Sequence, residues 1–305
     1  MLNTAAGRVF DLRCALLLGL VLVALAGCQR AVEDPAQMAM AQSPEAAVMA
    51  SVEALRAGDL KALIEAQLPP SEQARLAADW DHWRMRDDPD VDRLPAAMAW
   101  LAKLAEPGAE DRLMVELEPR LVEFEAQIAP QLGMYLAMFK ALAEGAVAQN
   151  ATLTEAQRSQ ASNALQVVAA WASQTTFTDR ARLRKALGEL AQTARGLDVD
   201  GIDGLRALSF EDAIARASIG FAGLKRALAS YGLSLDELLA SVQVQTLSRE
   251  PARATVEISW SFIGQDHRHT TELAGYQGRW YAIEVVERLQ KQQAEAAQQG
   301  AVTAR

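Results

Sequence analysis

The sequence predicts an α+β protein, predominantly α-helical, with a C-terminal four-stranded antiparallel meander. Three observations carry that expectation. Over residues 43–240 apolar residues recur at helical spacing between strong start and stop signals. Beyond residue 241 the period changes to two: Val256, Ile258, Trp260 and Phe262 alternate with Glu257, Ser259 and Ser261, the pattern of a half-buried strand. Hydrophobic residues make up 50% of the chain, ample for a core at this length.

In chain order, Arg8 and Arg13 come first and an apolar run from Cys14 to Leu25 follows, broken only by Gly19. Small residues then precede Cys28, which completes the three-part layout of a secretory signal. As a helix the run is only ~18 Å long, whereas a bilayer core of ~30 Å needs ~20 apolar residues. A permanent span is therefore disfavoured. Leu25-Ala26-Gly27-Cys28 resembles the lipobox of bacterial lipoproteins. The resemblance implies cleavage between Gly27 and Cys28, a diacylglyceryl group on the Cys28 sulfur, and acylation (palmitate-type) of the new amino group. Small side chains at Ala26 and Gly27 suit a peptidase that must approach the backbone closely. Two acyl chains hold a protein firmly, at ~0.8 kcal/mol per buried methylene. Gln29, in place of an Asp after the cysteine, implies sorting to the outer membrane with the body facing the periplasm. The competing reading is an ordinary signal peptide, or an uncleaved anchor, with a chance cysteine.

The implied layout is a signal peptide over 1–27, a tether over 28–42, a helical region over 43–240, an antiparallel sheet packed on helices over 241–287, and a polar tail over 288–305. Without the signal the chain carries 28 basic and 38 acidic residues, a formal −10. An acidic body with no basic block argues against nucleic acid as a partner and against a polybasic second membrane contact. The two cysteines are Cys14, inside the signal, and Cys28. No disulfide, thiolate metal site or cofactor is expected in the body, whose fold must rest on packing.

Ser43-Pro44-Glu45 starts a helix with a cap, a first-turn proline and an acid at the positive dipole end. It stops at Gly58, and Asp59 caps the next. Pro69-Pro70-Ser71 restarts the chain to about Arg86, and Asp87–Asp90 form a polar turn. Further helices are expected over 95–105, 109–117, 119–129 and 131–148; Pro119 and Pro130 each demand a start or a kink. Thr152 and Glu155 form a capping box, Thr178 caps a helix to Arg195, and 196–204 read as a loop. Ser209 caps a long helix from Phe210, and Ser234 with Glu237 opens a short one. Strands are expected over 242–248, 254–262, 267–274 and 279–286, with a frayed helix or disordered tail after Leu289.

Ser43-Pro44-Glu45-Ala46-Ala47 and Ala57-Gly58-Asp59-Leu60 resemble the first helices of small lipoproteins of the nuclear transport factor 2-like (cystatin-like) superfamily. Ala254-Thr255-Val256-Glu257-Ile258 and Gly278-Arg279-Trp280-Tyr281 resemble its last strands. The resemblance covers under a third of the chain. It implies a curved sheet packed on the first helices with a long helical insertion between, and it transfers no functional residue.

Candidate chemistry is sparse. No G-x-S-x-G, S-x-x-K, H-E-x-x-H or phosphate loop occurs, so no catalytic residue is assigned. His267 and His269, two apart on a strand, share a face and with Asp266 or Glu272 could seed a metal site; two ligands fix no metal, and a polar exposed face beside Arg268 is the favoured reading. Trp80 and Trp83, flanking Asp81-His82, share a helix face, as an aromatic platform or, by preference, a core edge. Asp88, Asp90 and Asp92, like Asp198 and Asp200, fit solvated turns better than calcium loops. Met134, Tyr135, Leu136, Met138 and Phe139 form a broad apolar helix face, expected in the core and otherwise a partner site. Gly220 and Gly223 suggest a tight helix crossing. The sequence thus favours a non-catalytic envelope module that binds another envelope component. The alternatives are a small-molecule or enzymatic pocket between sheet and helices, lined by Trp260, His267 or His269, and a purely structural lipoprotein.

Overall fold

Local capping chemistry sets where the helices begin. Ser43 Oγ accepts the Ala46 amide at 3.1 Å and opens α1 (Pro44–Ala57). Asp59 accepts the Ala62 amide at 2.9 Å and opens α2 (Leu60–Gln67). α3 (Pro70–Arg84) has proline at its first position, where the missing amide would be unpaired anyway. The computed structural model describes residues 42–86, 94–150, 153 and 155–303. Gly27, Cys28, the tether through residue 41, Asp88, Asp90, Asp92, and Thr152 of the expected capping box lie outside the described residues.

α4 (Leu94–Ala105) and α5 (Ala109–Gln127) follow. The sequence reading breaks α5 at Pro119, yet one helix runs through it. Proline removes the hydrogen bond to the carbonyl four residues earlier, here Val115, whose residue is 77% exposed and open to water. Pro130 sits in a 3-10 turn (Ala129–Gln131) that leads into α6 (Leu132–Gln149). Next come α7 (Glu155–Gln174) and α8 (Arg180–Leu197). The cap of α8 is Asp179, not Thr178: its carboxylate accepts from the Ala181 and Arg182 amides, and a negative charge suits the positive helix end better than a hydroxyl. α9 (Gly201–Ala207) begins inside the expected loop. Ser209 and Ser234 cap α10 (Phe210–Ala229) and α11 (Leu235–Ala240) as their sequence implies.

The strands are β1 (Gln243–Arg249), β2 (Arg253–Phe262), β3 (Gln265–Tyr276) and β4 (Arg279–Ala282). They form one sheet in the order β1-β2-β3-β4, antiparallel throughout, with a register shift in β1 between Thr246 and Ser248. β4 ends four residues earlier than the expected 279–286 strand, because α12 (Ile283–Thr303) begins there. Ile283, Val286 and Leu289 recur every third residue and are 1%, 3% and 4% exposed, so helical spacing wins over alternation. The polar run after Leu289 continues α12, being rich in the strong helix formers Ala, Gln, Glu and Lys.

The chain divides into two units. Among the described residues, the helical unit lies within Val48–Tyr135 and Trp171–Val242, and the sheet unit within 42–47, Leu136–Ala170 and 243–303. In the helical unit Ala109, Leu113 and Met114 of α5 pack against Leu187 and Ala191 of α8. In the sheet unit α12 lies on one sheet face through a cluster of Ala274, Tyr281, Ile283 and Val286. The opposite face buries Val256, Ile258, Leu273 and Trp280, and Trp280 Nε1 donates to the Gln42 carbonyl at 3.0 Å.

Candidate functional site

The sheet register decides where the histidines point. β2 and β3 pair Trp260 with His267 and Ile258 with His269. Both histidines therefore share the face of Val256 and Ile258 and are half-buried, while Arg268 and Thr270 point the other way and are exposed. This corrects the expected polar exposed face. Trp260 and His267 stack with ring centroids 5.6 Å apart and planes at 19°. His267 Nε2 is buried without a hydrogen-bond partner, and so is the hydroxyl of Thr271, a residue only 3% exposed.

The expected acidic helpers are elsewhere. Asp266 and Glu272 alternate with the histidines along β3 and so lie on the opposite face. There Asp266 accepts from Ser261 across the hairpin, and Glu272 lies 3.7 Å from Arg253. Among the described residues no group of three or more His, Cys, Asp or Glu side chains could hold a metal ion.

Trp80 and Trp83 do meet, with centroids 4.9 Å apart and planes at 33°. Both are half-buried. Trp80 Nε1 donates to the Leu208 carbonyl at 3.0 Å, which ties α3 to the loop before α10. His82 and Asp81 face outward, and Asp81 pairs with Arg84 at 2.7 Å. The pair thus serves packing at a core edge.

The largest departure concerns α6. Met134, Met138, Phe139 and Leu142 are 60%, 55%, 55% and 67% exposed, against the expectation of a core face. Tyr135 and Leu136 are half-buried. Lys140 and Glu144, the charged residues of this helix, pair with each other at 2.9 Å. Within the sheet unit, Met138, Phe139 and Leu142 therefore present apolar side chains, while Lys140 and Glu144 neutralise each other.

Two charged residues escaped the sequence reading. Lys225 is 6% exposed; its ammonium donates to the Leu55 and Arg56 carbonyls at 3.1 and 2.6 Å and pairs with Asp236. A cation at the C-terminal end of α1 meets the negative end of the helix dipole. Its position four residues after Phe221, on the inward stripe of α10, was the available signal. Arg180 reaches Glu118 at 2.8 Å and also Glu125. Arg180 and Glu118 also line an open groove of about 1050 Å³ between α5 and α8, together with Met114, Val115 and Pro119.

Comparison with family models, with curated proteins and with solved structures finds no match for this chain. Among the described residues no helix is long and apolar enough to cross a membrane.

Proposed function

We propose that this chain is a lipid-anchored, periplasm-facing envelope protein that works as a non-catalytic binding module. The anchor is Cys28, cleaved from the signal after Gly27, with the outer membrane as the destination. The observation that carries the binding role is the exposure of Met138, Phe139 and Leu142 on the part of α6 that belongs to the sheet unit. Apolar residues clustered on one exposed helix face are a common feature of binding surfaces, whereas apolar residues exposed singly are ordinary. Among the described residues, His267 stacks on the Trp260 indole, and Asp266 and Glu272, its neighbouring acids on β3, lie on the other sheet face.

The test is a photo-crosslinking amino acid placed at position 138, in cells carrying the wild-type anchor or Cys28→Ala. The expected result is one discrete adduct from position 138 that is lost in Cys28→Ala and absent when the probe sits at exposed Asp236. Adducts equal at both positions would count against the reading. Mass spectrometry of the mature amino terminus tests the anchor separately: an unmodified thiol overturns it.

A second reading has one observation in its favour. The buried, unpartnered His267 Nε2 beside Trp260 suits a small ligand with a hydrogen-bonding group. A compound that raises the melting temperature of wild type but not of His267→Ala supports it; identical shifts reject it.

A further inference from the structure

Glu284 occupies an unusual place for a carboxylate. It lies between Ile283 and Val286, the residues that seat α12 on the sheet and are 1% and 3% exposed. Its Oε1 is buried and has no hydrogen-bond partner. Among the described residues, the charges that act on this carboxyl most are both acidic. On α12 the acidic neighbour is Glu287 and on β3 it is Glu272, while Arg288, one turn on from Glu284, is exposed to solvent. Arg253 of β2 reaches the two acids, at 3.9 and 3.7 Å. On β4, Arg279 lies over the Tyr281 ring at 5.9 Å. Tyr276 of β3 packs against the same cluster.

A buried carboxylate without a counterion is costly, and the group neutralises instead. We propose that docking of α12 on the sheet is proton-linked: Glu284 enters the interface as the neutral acid, and its ionisation loosens the helix as pH rises. The electrostatics agree. Burial pushes the Glu284 carboxyl up to about 7, with Glu287 and Glu272 adding to it and a hydrogen bond from its own amide opposing.

The sign follows from linkage. Below the ordinary value of 4.5 the carboxyl is neutral whether α12 is docked or free, and docking is at full strength. Between that value and about 7 the free helix ionises first, so docking weakens with rising pH and levels off above. The ceiling is about 300-fold in the docking constant. Because the carboxyl is part-exposed and screened, the expected loss is about 10- to 100-fold.

Hydrogen exchange of the α12 amides, expressed as protection relative to intrinsic rates, is to be followed from pH 5 to 8.5 in the full chain. Protection over residues 287–291, beyond the four amides of the first turn that have no intrahelical acceptor, is expected to fall about 5- to 50-fold in wild type and to stay level in Glu284→Gln, which copies the neutral acid. A level wild-type profile, or the same fall in both proteins, overturns the proposal. Should Glu284→Gln fail to fold, the side-chain carboxyl of wild type is titrated by carbon NMR: a midpoint near 7 upholds the proposal and one in the ordinary carboxylate range overturns it.

Discussion

Gly223 of α10 faces Thr193 of α8 so closely that a β-carbon on the glycine would overlap the threonine hydroxyl, methyl and Cβ. The threonine cannot step aside freely. It is 7% exposed, its hydroxyl donates to the Glu189 carbonyl at 2.7 Å, and Arg226 donates to it at 3.4 Å. Gly223→Ala is therefore expected to destabilise by at least about 2 kcal/mol, since overpacking forces backbone shifts. Gly188→Ala, on α8 with nothing within 4 Å of the added carbon, should gain about 0.5–1 kcal/mol. Urea midpoints of the two variants decide it. Adding Thr193→Ala to Gly223→Ala should recover part of the loss, the coupling expected of residues in contact.

Lys225 satisfies two carbonyls at the end of α1 with one ammonium. Lys225→Met keeps the stem's packing but takes the ammonium from both carbonyls, leaving Leu55 only the Gly58 amide at 3.2 Å. A loss of about 1–3 kcal/mol is expected, read as a lower denaturation midpoint with an unchanged slope. The exposed pair Lys61–Glu211, at 2.6 Å, is the contrast: Lys61→Met should leave the midpoint where it is. Equal effects would show that the buried carbonyl contacts are not what anchors α10 to α1.

These two residues also show how far sequence reasoning reached. Helix starts at Asp59, Ser209 and Ser234 were legible because a cap is chemistry within three residues. The alternation of β2 was legible for the same local reason. That Gly223 marks a tight crossing was inferred, but its neighbour Thr193, thirty residues away, was not, because only tertiary packing brings them together. His267 and His269 could be assigned to one face by parity; which face it was depended on the pairing of His267 with Trp260. The start of α12 was missed because Ile283 and Val286 fit the end of a strand until Leu289 is added to the series. Nothing local told an apolar face bound for the core from the one that α6 leaves uncovered.

Arg180 draws together two carboxylates seven residues apart on α5, Glu118 and Glu125. Its hydrogen bond, ahead of one from Thr178, holds the Glu125 carboxyl below the usual range. Such a group favours the native state above its ordinary pKa and loses that contribution on acidification through the lowered value. The three side chains are all substantially exposed, so the effect is salt-sensitive and small. Arg180→Ala should lower the melting temperature slightly at low salt and near-neutral pH. The difference should close in 1 M salt, where the Debye length is only about 3 Å, and also at acid pH. A difference unchanged by salt would mean that Arg180 acts through packing of its stem.

The uncovered face of α6 makes opposite predictions for stability and for binding. At 55% exposure Met138 contributes little burial, so Met138→Asp should move the unfolding free energy by no more than about 0.5 kcal/mol. A buried methionine in that position would cost about 2–5 kcal/mol on truncation, so the measurement separates an open face from a covered one. If this face docks a partner, the same substitution places an unpaired charge in an apolar contact. Crosslinks from a photo-reactive residue at position 142, one helical turn away, should then disappear while the far-UV circular dichroism stays unchanged. Retained crosslinks in a folded Met138→Asp protein would move the binding surface off α6, and a large loss of stability would show that α6 is covered within the protein itself.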